Sequence, residues 1–113
     1  MSGSGKAATR HFKNQRFTAV LLVPLVLWFV ITIAMQSGAS HDMMTAFLKD
    51  PVNAALMALF CLTGFAHFAL GLEVVIDDYV TGKTLNGLCH FANKLFSFLG
   101  AAAAIAALVV IHF

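Results

Sequence analysis

Three long apolar runs dominate this chain of 113 residues and restrict it to a membrane-spanning fold. They cover residues 17–35, 52–76 and 91–112, and each is close to the roughly 20 residues that an α-helix needs to cross a bilayer core. The first run carries no formal charge, whereas His67 and Glu73 interrupt the second and Lys94 lies near the start of the third. Because backbone groups in lipid must be satisfied internally, these runs predict transmembrane helices.

We therefore predict an all-α membrane protein of one domain, residues 1–113, with transmembrane helices at about 17–36, 52–77 and 91–112. A mobile basic arm is expected over residues 1–14. Only 11% of the residues are charged, against about 25% in soluble domains. Too little chain remains for a soluble catalytic domain, so such a domain must belong to a partner. Three helices bury little surface in isolation, which favours a heteromeric helical bundle.

The basic residues predict the orientation. Six of the seven Lys and Arg residues lie before the first run or around the loop between the second and third runs, and the remaining one is Lys49. Cytoplasmic loops carry the excess of Lys and Arg, so the N-terminus is predicted to be cytoplasmic and the C-terminus periplasmic. On the outer side, residues 41–50 are expected to form a short interfacial helix. Gly100 and the alanines after it predict a helix-packing face.

His67 is the strongest functional candidate. It lies within the second run, about 13 Å below the cytoplasmic boundary if the apolar core ends near Ile76, and therefore near the midplane. Ionisable residues at such depth are expensive and usually functional. A haem ligand and a hydrogen bond to a neighbouring helix are both compatible with this position. Gly71, one turn away, is expected to clear space for a flat macrocycle. The other histidines lie nearer the two surfaces, so a second histidine ligand must come from another chain.

Arg16, Asp78 and Tyr79 are further candidates at the cytoplasmic boundary. Arg16 precedes the first run, where its guanidinium would match a carboxylate, although an arginine at this position also sets orientation. Asp78 is on the face of His67 about 16 Å further along the helix. Tyr79 follows it and could hydrogen-bond a quinone carbonyl, although interfacial tyrosines commonly act as anchors.

The residues His67, Gly71, Asp78, Tyr79 and Val80 follow the order His-x3-Gly-x6-Asp-Tyr-Val. This stretch resembles the small hydrophobic membrane anchor of succinate dehydrogenase, respiratory complex II. The segment from Gln15 to Leu25 is similar to the start of the first helix in that family, particularly in its bacterial members closest to mitochondria.

The resemblance implies a three-helix subunit of the bacterial inner membrane, packed against a sister cytochrome b anchor subunit and holding an iron–sulfur subunit and a flavoprotein subunit. By position, His67 would be an axial ligand of haem b, with the second histidine supplied by the sister subunit. Tyr79 would hydrogen-bond ubiquinone, Asp78 would support that site, and Arg16 would lie near the haem propionates and the quinone pocket. Succinate oxidation would occur on the partners, and no nucleic-acid partner is expected.

Two other functions stay open at this point. Two copies of the chain could share one haem through both His67 residues, forming a stand-alone b-type cytochrome. Alternatively, His67 and Glu73 could form a proton relay in a transporter accessory subunit. The single intramembrane histidine and the absence of an inverted repeat count against the relay.

Overall fold

The computed structural model describes the backbone of residues 2–113 and the side chains from Gly5 onward, and its regular structure is entirely helical. Helix α1 spans Ser2–Met35, α2 His41–Lys49, α3 Pro51–Tyr79 and α4 Lys83–His112. The three long helices, α1, α3 and α4, are each long and apolar enough to cross a membrane. The prediction of an all-α chain with three spanning helices is confirmed to this extent, and α2 is the predicted short helix between the first two spans.

The connections on either side of α2 have local chemical causes. Gly38 adopts a positive φ of 82° in the turn after α1, a conformation that glycine adopts without steric penalty. Ser40 caps α2 by accepting a hydrogen bond from the Met43 amide. Asp50 then ends α2 and caps α3 by accepting from the Asn53 amide, and Pro51 occupies the first turn of α3.

The helices extend beyond the predicted spans. Residues 2–14, which the sequence assigned to a mobile arm, belong to the continuous helix α1, and α4 begins at Lys83 rather than near residue 91. The reason is that hydropathy marks only the part of a helix that suits lipid, whereas polar residues such as lysine also favour helix in water. Pro24 lies inside α1 without ending it. The mobility of residues 1–14 stays a prediction.

Helix α3 is the central element of the bundle. It packs against both α1 and α4, which do not contact each other within the described residues. The rings of Phe29 and Phe60 stack at 4.6 Å between α1 and α3, and the Phe68 and Phe96 rings lie 5.8 Å apart between α3 and α4. Helix α2 lies against α3 and α4.

The interface of α3 and α4 contains one close glycine contact and one buried polar group. A Cβ on Gly100 would overlap the ring of Phe65, which confirms the predicted packing face at this position. Asn93 is buried and donates a hydrogen bond of 2.9 Å to the Ala69 carbonyl, while Ser97 donates to Asn93 at 3.4 Å. An amide in this environment needs such partners, because an unpaired polar group would be costly there.

Candidate functional site

Helices α1 and α3 meet along a row of polar contacts, called here the polar seam. His11 Nε2 lies 3.0 Å from Glu73 Oε2, and the Thr18 hydroxyl lies 2.9 Å from His67 Nδ1. Between these contacts, Gln15 approaches Gly71. The α1 members of the polar seam are spaced by four and three residues, so they share one face of the helix. The seam fixes the register of α1 against α3 from Thr18 to His11.

His67 is held by α1. Its hydrogen bond to Thr18 confirms the interpretation of this histidine as a link to a neighbouring helix. The Thr18 hydroxyl is also 3.0 Å from the carbonyl oxygens of Asn14 and Gln15 one turn earlier in α1. The link to Thr18 uses only Nδ1, so it is compatible with a metal bond at the other ring nitrogen, Nε2.

An apolar groove of about 390 Å³ lies beside the imidazole. His67 is its polar member, and its remaining lining comes from one face of α1: Ala19, Leu22, Val23, Val26 and Leu27. Aliphatic walls with one imidazole suit a large apolar prosthetic group that needs an axial nitrogen ligand. The residues present therefore fit a haem at this position.

The structure corrects the expectation for Gly71. A Cβ built on Gly71 would lie 3.4 Å from Gln15 Nε2, so the space beside this glycine is occupied by an α1 side chain. Gly71 faces the neighbouring helix of its own chain and does not provide a surface for a flat macrocycle. The groove is instead formed largely by α1. The sequence could not show this, since it does not reveal which helix covers Gly71.

Arg16 lies close to the level of His67. Arg16 precedes Thr18 by two residues in α1. Since Thr18 contacts His67, the backbone of Arg16 is about 3 Å along the helix axis from the level of this contact. Its side chain is exposed, and its guanidinium carbon is 5.6 Å from the centre of the Phe12 ring. The guanidinium therefore points along α1 toward Phe12, and its exposure leaves it available to an anionic group.

Asp78 and Tyr79 lie apart from the other candidates. They end α3, and Tyr79 is 81% exposed. Tyr79 comes twelve residues after His67, or about 18 Å along the axis. No hydrogen bond or ion pair joins either residue to Arg16 within the part of the chain that the structure describes. The structure thus brings Arg16 near the level of His67 and leaves Asp78 and Tyr79 at the end of α3.

Asp77 has a structural contact that the sequence did not indicate. His90 Nε2 of α4 lies 2.7 Å from Asp77 Oδ1, and Asn86 donates to the same oxygen at 3.2 Å. These bonds fasten the end of α3 to the start of α4 across a three-residue connection. The sequence could have indicated this contact only if the start of α4 at Lys83 had been known. A short connection then brings Asp77 and His90 close together.

Within the described side chains, no three His, Cys, Asp or Glu residues are grouped to hold a metal ion. A metal bound by His67 would therefore need its other ligands from a macrocycle or another chain. The remaining histidines have other neighbours, namely Glu73 for His11, Asp42 for His41, Asp77 for His90 and Phe113 for His112.

Comparison with known proteins agrees with this architecture. Residues 2–111 match the family model described as succinate dehydrogenase/fumarate reductase transmembrane subunit. The chain is 34% identical over 106 residues to the succinate dehydrogenase hydrophobic membrane anchor subunit of Paracoccus denitrificans, covering 94% of this chain and 81% of that protein.

Two other relatives are similar over shorter stretches. The succinate dehydrogenase hydrophobic membrane anchor subunit of Rickettsia bellii is 33% identical over 98 residues, covering 87% of this chain and 78% of that protein. The succinate dehydrogenase membrane anchor subunit of Reclinomonas americana is 32% identical over 81 residues, or 69% and 68% of the two chains. No solved structure matches the chain.

Proposed function

We propose, from the premise that this chain belongs to the succinate dehydrogenase/fumarate reductase transmembrane subunit family, that it holds haem b at His67 and contributes to the site of ubiquinone reduction. The chain is a membrane anchor subunit of succinate dehydrogenase and a multi-pass protein of the bacterial inner membrane. The family membership does not favour the stand-alone cytochrome considered from the sequence.

The observation that carries the haem proposal is the position of the His67 imidazole. One ring nitrogen is engaged by Thr18, and the ring borders a groove whose other walls are aliphatic. The haem, when bound, supplies a one-electron redox centre whose potential depends on its axial ligands. His67 would supply one nitrogen ligand, α1 would exclude water from one side, and a histidine of the sister cytochrome b subunit would complete the ligation.

Arg16 is proposed to bind the haem propionates. Its exposed side chain leaves α1 near the level of His67, and a planar guanidinium pairs with carboxylates through two parallel hydrogen bonds. The same residue was expected near the quinone pocket. The register of the polar seam supports the propionate role more strongly than the quinone role, because Arg16 and Tyr79 lie at different levels along the helix axes.

Asp78 and Tyr79 are proposed to form this chain's part of the quinone site. Both side chains are exposed at the end of α3, where a quinone ring in the membrane meets water and the subunits that deliver electrons. The Tyr79 phenol would donate a hydrogen bond to a quinone carbonyl, stabilising negative charge as it develops on that oxygen. Asp78 would assist the approach of protons. The sister subunit and the iron–sulfur subunit must cover these residues to complete a pocket.

His67→Ala tests the haem proposal. The variant complex is expected to lose its haem while retaining the iron–sulfur and flavoprotein subunits, since His67 lies within the apolar part of α3 and not at the end where these subunits are proposed to bind. Haem per complex is measured by the pyridine haemochrome spectrum, and subunit content by mass spectrometry of the native complex. His41→Ala, which changes an exposed histidine of α2, is the matched control and should keep the haem. A His67→Ala complex with its full haem content would refute the proposed ligand.

A further inference from the structure

The Thr18–His67 hydrogen bond has a consequence for the chemistry of the imidazole ring. A neutral imidazole carries one proton, and the nitrogen that lacks it is the one that can bind a metal. The partner of Nδ1 therefore determines which nitrogen is available. Thr18 is that partner, and it belongs to a different helix from His67.

The proton positions follow from the neighbours of the Thr18 hydroxyl. A hydroxyl has one proton to donate and lone pairs that accept. The carbonyl oxygens of Asn14 and Gln15, each 3.0 Å from Thr18 Oγ1, can only accept, so they receive the hydroxyl proton. The remaining contact, 2.9 Å to His67 Nδ1, then requires the ring to be the donor. This arrangement needs the His67 proton on Nδ1 and leaves the lone pair on Nε2.

We propose that Thr18 is the positioning residue of the haem ligand: its hydroxyl accepts the Nδ1 proton of His67, which fixes the tautomer and orients Nε2 for the metal. This inference rests on the proposed haem function. Metal-binding histidines commonly donate their other ring N–H to a protein acceptor, and this bond raises the basicity of the ligand. In this chain a side chain of α1 provides the acceptor, so the packing of α1 on α3 prepares the ligand.

The test compares Thr18→Val, which keeps the side-chain shape and removes the hydroxyl, with Thr18→Ser, which restores a hydroxyl. Thr32→Val makes the same change elsewhere in α1, about 21 Å further along the helix. Each variant is purified as the intact complex. The measurements are the rate of haem transfer to excess apomyoglobin and the midpoint potential of the haem.

Thr18→Val is expected to lower haem affinity by about 10–100-fold, the usual effect of losing a ligand's hydrogen-bond partner, and to speed haem transfer correspondingly. Its midpoint potential should rise, because a less basic imidazole stabilises the oxidised iron less well. Thr18→Ser and Thr32→Val should behave like the parent. A structural role of Thr18 alone would not produce a shift in potential that serine reverses.

The His67 and Thr18 variants distinguish failure of the haem proposal from failure of the positioning role. If the haem depends on His67 but Thr18→Val changes neither measurement, the positioning role is refuted and the haem ligand stands. If His67→Ala retains its haem, both inferences fail. If Thr18→Val does not assemble, the Nδ1 proton of His67 decides in the reduced, diamagnetic parent complex with ¹⁵N-labelled histidine. An Nδ1 proton that exchanges slowly with solvent and is shifted downfield, as a hydrogen bond to Thr18 requires, supports the proposal. An absent or rapidly exchanging Nδ1 proton overturns it.

Discussion

The depth of His67 in the membrane depends on which helix is used to measure it. Along α3, the apolar stretch ends near Ile76, and His67 lies about 13 Å below that point. Along α1, its partner Thr18 comes only two residues after Arg16, or about 3 Å. The sequence provided the first measure, whereas the second required the register of the two helices. The structure therefore places a basic residue of α1 near the level of His67, whereas the sequence alone predicted that His67 lies near the midplane.

Gly71 provides a residue-scale prediction. Gly71→Ala should retain the haem and assemble normally, because the new methyl group would lie at ordinary contact distance from the flexible end of Gln15. Alanine also favours helix over glycine by about 1 kcal/mol. Haem content and thermal stability of the purified complex check this. Loss of haem without loss of assembly would show that the glycine does clear space for the macrocycle.

Tyr79 provides a second residue-scale prediction. Tyr79→Phe removes a single hydroxyl from the only tyrosine in the chain. If this hydroxyl hydrogen-bonds the developing charge on the quinone, ubiquinone reduction should fall by about 10–100-fold, as expected for a hydrogen bond to a charged group. Reduction of an artificial dye at the flavoprotein is the internal control and should be unchanged. Equal loss of both activities, or of neither, would contradict the assignment.

At the scale of helices, each spanning element is longer than its apolar run. The polar half of α1 continues past the predicted boundary and lies beside the last turns of α3, where it contributes His11 and Gln15 to the polar seam. The extension of α4 brings His90 to Asp77. These contacts are made by residues outside the predicted spans. Hydropathy could not identify them, because it marks only the apolar part of each helix.

Gly100 provides the prediction at this scale. Gly100→Ala should destabilise the packing of α3 on α4 by about 1–3 kcal/mol, since the methyl group would overlap the Phe65 ring. Thermal unfolding of the purified complex measures the effect. Gly87→Ala is the matched control in the same helix, because a Cβ there meets nothing within 4 Å.

A second substitution tests the cause. Phe65→Leu, which shortens the side chain opposite the glycine, should recover part of the stability lost in Gly100→Ala. Additive losses in the double variant would mean that the ring and the new methyl group do not meet.

At the scale of the whole molecule, the chain buries little of its own apolar surface. Among the described residues, the buried hydrophobic side chains are Leu25 and Ile76, while large apolar residues are exposed along all three long helices. These surfaces must meet lipid or other subunits. This agrees with the anchor role, in which one face of the bundle is expected to pack against a sister subunit.

The orientation of the molecule is a prediction that can be tested directly. A cytoplasmic N-terminus and a periplasmic C-terminus are expected from the basic residues before the first apolar run. Alkaline phosphatase, which is active only in the periplasm, should be active when fused after Phe113. It should be inactive when inserted in the connection between α3 and α4. The opposite pattern of activities would reverse the assigned topology.

The sequence by itself determined three spanning helices, a histidine within the second apolar run, and that any metal bound by this histidine takes its other ligands from beyond the side chains near it. The reason is that hydropathy, charge and residue identity are properties of each segment taken alone. Only the tertiary structure decided that Thr18 holds His67, that Gln15 covers Gly71, and that Arg16 leaves α1 nearer to the level of His67 than to that of Tyr79. Those relations depend on the register between α1 and α3, which is set by the packing of both helix surfaces together.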